Sequence, residues 1–162
     1  MTERDLFVSR FENEYQTTSK LLRAYPKEKS EIKPAEKSKN ARELAWMLVL
    51  NQMVLIPAMK GELKPGSLPP PPANWDEVLT ALDREHKNTA TQLGSLTDET
   101  MSNKTIKLPV GPGKIDDVRM GDALWMFLYD TIHHRGQFTI YSRIAGARVP
   151  SIYGPTADEP WF

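Results

Sequence analysis

Apolar positions recur at three- and four-residue spacings in four long stretches of the chain, the repeat of a helix with one buried face. The first stretch, about Glu3 to Leu22, puts Val8, Phe11, Tyr15, Thr18 and Leu22 on one row. It should end near Ala24, because geometry before Pro26 is pushed away from helix. The second runs from about Asn40 to Lys60, with the row Leu44, Met47, Asn51, Val54 and Ala58. Asn40 and Glu43 fit a capping box, and Gly61 suits the stop. Pro57 removes one backbone hydrogen bond, to the carbonyl of Met53, and should bend this helix. The third begins at Asn74, with Glu77 completing a capping box, and carries Trp75, Leu79, Leu82, His86, Thr89 and Leu93 to about residue 93. The fourth spans about Met120 to Ala147, with Asp116 or Asp117 as its cap and Gly146 just before its end.

The segments between these helices are of different kinds. Residues 26–37 are polar and read as a surface connector. Residues 62–73 include four successive prolines, which favour polyproline II. At ~3.1 Å per residue such a segment reaches roughly 35 Å, the length of a helix of more than twenty residues. It can therefore carry the chain from one end of a bundle to the other and let helices two and three run parallel. Residues 94–118 form a long link in which Lys104 to Val110 alternates weakly, enough for a short extended piece. Links of this length commonly cover or line a site. The tail, residues 148–162, is rich in Pro but holds Ile152, Tyr153, Trp161 and Phe162. It is too apolar to stay free and should pack on the bundle or on a second subunit. Four helices and almost no strand predict a single all-α domain, a four-helix bundle, over residues 1–162.

Composition narrows the function classes. Formal net charge is zero and the apolar fraction is 40%, which argues against nucleic acid as the main partner. The absence of cysteine rules out disulfides, thiolate metal sites and cysteine nucleophiles. The apolar run in Leu44 to Met59 is interrupted by Asn51, Gln52 and Pro57 and is too short for a bilayer. The N-terminus begins with charge rather than a signal peptide, so a soluble cytoplasmic protein with no membrane association is expected.

The fourth helix concentrates the candidate chemistry. Its row Ala123, Phe127, Asp130, His134, Gln137, Tyr141 and Ile144 is apolar or aromatic at both ends and polar in the middle. Burying such groups unpartnered costs about 1–3 kcal/mol each, so a metal, water, a ligand or facing side chains should meet them. His133 lies beside His134, rotated about 100° around the helix. Asn51 on helix two is the matching polar insert. His86 lies on an apolar row, where a satisfied core histidine is the simpler reading and a ligand the sharper one. Arg135 should pair with an acidic group, and Gly136 should admit a neighbouring helix.

Two stretches carry a resemblance. Ala41-Arg-Glu-Leu-Ala-Trp-Met-Leu-Val-Leu and Ile132-His-His-Arg-Gly-Gln through Val149-Pro-Ser-Ile-Tyr-Gly-Pro resemble the damage-inducible DinB-like (YfiT-like) family. The resemblance covers essentially the whole chain. It implies an up-down-down-up bundle with a long crossover between helices two and three, and a homodimer. It also implies a divalent metal, zinc, nickel or manganese, held by one histidine of helix two and two of helix four, with thiol-transferase or hydrolase chemistry on a small electrophile. Carried onto this chain, one of those positions is His134, the position four residues earlier is Asp130, and the helix-two position is Met47. A carboxylate can replace a histidine on these metals, whereas a thioether suits them poorly. Two expectations follow. Either Asp130 and His134 hold a metal with help from Asn51 or His86, or the scaffold has a degenerate site with no metal and its pocket, with Met47, Asn51, His86, His133 and Gln137, takes a small molecule.

Overall fold

The computed structural model describes residues 1–63, 66 and 68–162. Lys64, Pro65 and Ser67, at the start of the expected polyproline linker, lie outside the described residues. The elements are α1 (Glu3–Arg23), a 3-10 turn (Lys27–Lys29), α2 (Ala41–Met53), α3 (Leu55–Lys60), α4 (Trp75–Gly94), α5 (Asp98–Asn103), β1 (Thr105–Gly111), β2 (Lys114–Arg119) and α6 (Met120–Ile144). The long helices are α1, the broken pair α2–α3, α4 and α6, and they form the four-helix bundle.

The helix starts follow side-chain capping chemistry. Thr2 with Asp5, and Asn40 with Glu43, form reciprocal capping boxes. At α4 only half of the expected box forms: Asn74 accepts from the Glu77 amide. The second helix breaks at Val54, where α2 ends and α3 begins. Pro57, three residues on, cannot donate to the Met53 carbonyl, and its ring crowds that turn. The chain then stops at Gly61, whose φ of 74° is the left-handed cap that glycine adopts without strain.

The crossover is visible in its contacts with α2. Trp46 Nε1 donates to the Pro69 carbonyl at 2.8 Å, and Arg42 Nη1 donates to the Pro72 carbonyl at 2.9 Å. The proline segment thus runs back along α2 towards its beginning, so that α4 starts at the same end as α2. Thr89 of α4 meets the Gln52 carbonyl at the far end of the same pair. α1 runs the opposite way to α4, as shown by Tyr15 on Asp83 and Arg4 on the carbonyls of Gly94 and Leu96. The order is up-down-down-up. α2 packs against α4 and α6, and α1 packs against the same two helices.

Three expectations are corrected. Residues 94–118 are not an irregular link: they form α5 and an antiparallel hairpin pairing Ile106 with Val118 and Leu108 with Asp116. Only Ile106 and Leu108 are buried along β1, so the alternation in the sequence is real but short. Asp116 and Asp117 are therefore strand residues, and Arg119 precedes α6 without a side-chain cap. Gly146 lies beyond the end of α6, in a left-handed turn with φ 74°.

The buried face of α6 also differs from the expected row. Ala123, Leu124, Leu128, Thr131, Arg135, Phe138 and Tyr141 are buried, while Phe127, Asp130 and His134 are half-buried and Gln137 and Ile144 are exposed. The stripe is rotated by about one residue, which places Asp130 and His134 on the shoulder of the helix beside α2. α1 shows a similar shift: Phe7, Phe11, Glu14, Thr18 and Leu21 are buried, whereas Val8 and Tyr15 are partly covered. Two core clusters result. One surrounds Leu21, Leu44, Leu48, Trp75, Leu82 and Phe138, and the other surrounds Phe7, Leu55, Met101, Leu108, Met120 and Leu124.

Candidate functional site

Between these clusters, α2 and α6 face each other along a groove. Asn51, buried on α2, donates from Nδ2 to Asp130 Oδ2 at 2.8 Å. The same oxygen lies 3.3 Å from His134 Nε2. His134 Nδ1 lies 3.0 Å from Gln137 Oε1, and Gln137 Nε2 lies 3.0 Å from His133 Nε2. Asn51, Asp130, His134, Gln137 and His133 therefore form one chain of polar contacts, hydrogen bonds except for the Asp130–His134 ion-pair distance. It runs from the buried flank of α2 to the exposed face of α6, and these are five of the expected site residues.

Cavities flank this chain on both sides. One, of about 370 Å³, is lined by Leu44, Lys39, His134, Gln137, Ile140 and Tyr141. The other, of about 250 Å³, is lined by Met47, Leu50, Asn51, Val54, Leu108, Met126 and Phe127, with Leu63 and Leu68 of the linker closing it. Met47 thus stands in the wall of the apolar cavity, one helical turn from Asn51. The link between α4 and α6 lines this cavity through Leu108 and Pro109 of the hairpin.

His86 lies elsewhere. Its ring is buried on the α1–α4 seam, stacked on Tyr15 with centroids 3.5 Å apart, and its Nε2 is 2.8 Å from Glu12 Oε2. Hydrogen bonds from Gln16 and then from His86 hold the Glu12 carboxyl below its ordinary range. His86 is the satisfied core histidine rather than a member of the groove, although its Nδ1 has no partner among the described residues.

Sequence reasoning located an acidic partner for Arg135 without naming it, and missed the network around it. Arg135 is 1% exposed and pairs through Nη1 with Glu14 Oε2 at 2.5 Å. It also donates to the Glu14 carbonyl and to Thr18, and its Nη2 bonds the Tyr153 hydroxyl. Tyr153 in turn donates to Glu14 at 2.7 Å, and burial raises its phenol above the ordinary range. Glu14 falls between Phe11 and Thr18 on the buried row of α1, an acidic residue at a core spacing, and that was the available signal. A Cβ built at Gly136 would meet nothing within 4 Å among the described residues, so the expected close approach of a neighbouring helix is not made there.

The donor set can be tested against a metal. The groove offers one carboxylate and one imidazole, with an amide and a thioether nearby. A catalytic zinc is held by three protein ligands. Among the described residues, no three His, Cys, Asp or Glu side chains gather closely enough to hold an ion. The Asp130 oxygen nearest His134 already accepts from Asn51. These residues do not fit a three-ligand metal centre.

Fold and groove together define a crossover four-helix bundle with a polar cleft between its second and last long helices. The chain belongs to the DinB family, whose model matches residues 1–160. A DinB-like protein of Bacillus cereus ATCC 10987 has a similar structure, with TM-score 0.75 and 20% identity over 91% of this chain and 95% of that one. The DinB-like protein YjoA of Bacillus subtilis superposes with TM-score 0.69 and 21% identity, covering 91% and 97% of the two chains. YfiT of Bacillus subtilis, described as a probable metal-dependent hydrolase with an unusual four-helix bundle topology, gives TM-score 0.65 and 16% identity over 88% of this chain and 87% of that one. At these identities the likeness is one of fold. The uncharacterised protein YrdA of Bacillus subtilis strain 168 is 46% identical over 39 residues, a stretch of 24% of this chain and 23% of YrdA. Among the described residues, no helix is long and apolar enough to cross a membrane.

Proposed function

We propose that this DinB-family chain uses the α2–α6 groove to bind a small molecule, without a resident metal: a degenerate form of the family's metal site. One observation carries the reading. Asp130, the one carboxylate among these groove residues, is engaged internally by Asn51 and His134, and Met47, whose thioether suits zinc, nickel and manganese poorly, stands at the helix-two position that the family resemblance assigns to a histidine ligand. Cytoplasmic location and homodimer formation belong to the same proposal. The dimer is supported by exposed apolar side chains on α6, Met126 and Tyr129 on one side of the polar His133 and Gln137 and Ile140 and Ile144 on the other, which a second copy could cover.

Elemental analysis of tag-free protein, before and after loading with zinc, nickel and manganese, tests the reading. No retained metal is expected. Near-stoichiometric metal in the wild type that disappears in His134→Ala would overturn it. That result would favour a second reading, a metal-dependent hydrolase, the description YfiT carries, or a metal-dependent thiol transferase. Met47→His is the complementary change: if the groove is a lapsed metal site, that variant gains zinc or nickel binding.

A further inference from the structure

The apolar cavity beside Asn51 has one chemical peculiarity. Among its described lining residues none carries a charge, and Asn51 brings the only polar side chain. Asn51 is 8% exposed, and its Nδ2 is committed to Asp130 Oδ2. From the cavity wall a carboxylate is therefore one hydrogen bond away. Asp130 uses the same oxygen, Oδ2, for both Asn51 and His134. Its other oxygen, Oδ1, has no donor among the described residues, and the side chain is 44% exposed. A carboxylate has acceptor capacity for about four hydrogen bonds, so half of this one is unused, and Asp130 lies one turn of α6 from Phe127 in the cavity wall.

We infer that the groove selects a small primary amine with an apolar body. The inference rests on the small-molecule reading above and adds the chemical class. The body fits against Met47, Leu50, Val54, Leu108 and Phe127, and the ammonium group meets Asp130, with the Asn51 carbonyl oxygen as a second acceptor. An anionic head would meet the same carboxylate with like charge in a partly desolvated place, where repulsion is strong. A neutral hydroxyl would gain the acceptors without the charge. Ammonium and hydroxyl both make a charge-assisted hydrogen bond to the carboxylate, but only the ammonium adds the attraction of an opposite charge, which sets the expected order: amine, then alcohol, then acid.

The test compares benzylamine, benzyl alcohol and benzoate, bodies of one size with heads of different charge, by calorimetry and by NMR of the Asn51 side-chain amide at neutral pH. Benzylamine should bind about tenfold more tightly than benzyl alcohol, about 1.4 kcal/mol, and shift the Asn51 amide resonance. Benzoate should be weakest. Asp130→Asn, isosteric and still able to bond Asn51, should weaken the amine far more than the alcohol and bring the two to one level. Val54→Phe fills the cavity and should abolish both, and Met126→Trp at the exposed rim serves the same purpose should Val54→Phe prove unfolded by circular dichroism. Equal binding of amine and alcohol by the wild type, a preference for benzoate, or an amine preference that survives Asp130→Asn would overturn the assignment of an amine while leaving the groove a binding site. Failure of all three probes to bind the wild type would overturn both.

Discussion

Arg135 shows how a single buried charge can organise several parts of a chain. Its guanidinium lies against Glu14, the Glu14 carbonyl, Thr18 and the Tyr153 hydroxyl, so α6, α1 and the tail meet at one group. Removing one partner of a buried pair leaves the other charge uncompensated, at a cost of about 3–5 kcal/mol. Arg135→Met should therefore lower stability by that order in chemical denaturation. Tyr153→Phe, which loses hydrogen bonds but no charge, should cost about 1–2 kcal/mol. A second residue-scale outcome concerns Tyr25. Burial first, and then Tyr141 and Glu28 nearby, push its phenol up to about 12. Its folded pKa is raised, so the associated stability is complete below the ordinary 10.0 and is lost as pH climbs towards about 12. Ultraviolet titration should show a phenolate appearing there only as the fold gives way. The pairing of Arg135 was legible as a need for an acid. Glu14 was not, because an acidic residue on an apolar row reads as surface until its partner is seen.

At the scale of elements, the helices were legible because their periods, caps and breakers agree. Asn40 with Glu43 marked one start, and Pro57 marked the break that falls at Val54. The hairpin was only half visible. Its strands carry two buried side chains between them, Ile106 and Leu108 on β1, and two alternations are too few to outweigh the Pro and Gly around them. What fixes the hairpin is tertiary: Leu108, 1% exposed, packs into the cluster with Leu55 and Leu124 and forms part of the apolar cavity wall. Leu108→Ala should cost about 2–5 kcal/mol by the usual price of a large-to-small core change. Urea denaturation measures that loss. The α6 row correctly joined Asp130, His134 and Gln137, but His86 went to another seam because which faces of α4 meet α1 is decided by topology and not by period.

For the whole molecule, several carboxyls that fasten distant parts of the chain together sit below their ordinary range. Glu3 is lowered chiefly by its bond from Arg119. Asp158 is lowered by the Val149 amide and Arg143, and Glu159 by Lys20 and the Ser151 amide. Depressed carboxyls stabilise the folded state above their ordinary values of 4.5 for Glu and 3.8 for Asp, and that contribution is lost as pH falls through the lower folded values. Tm should hold steady down to that range and then fall on acidification. Asp158→Asn and Glu159→Gln should flatten the acid limb, with increased exchange of tail amides. Size-exclusion chromatography with light scattering decides the dimer: Ile140→Glu on α6 should yield a monomer if these exposed side chains are the contact.

The crossover along α2 has a consequence for the route by which the chain reaches its fold. α1 and α2 are consecutive yet sit diagonally, as do α4 and α6, and the consecutive pair that does pack, α2 with α4, runs parallel across the long linker. No two neighbouring long helices close on each other as a local hairpin. Every interface of the bundle therefore waits for a large loop to close, an entropic toll that short-range helical proteins escape. Folding should resemble that of mixed or β proteins, in milliseconds or slower rather than microseconds. In stopped-flow refolding, the tryptophan signals of Trp46 and Trp75, which report the α2 and α4 sides of one core, should rise together in a single phase.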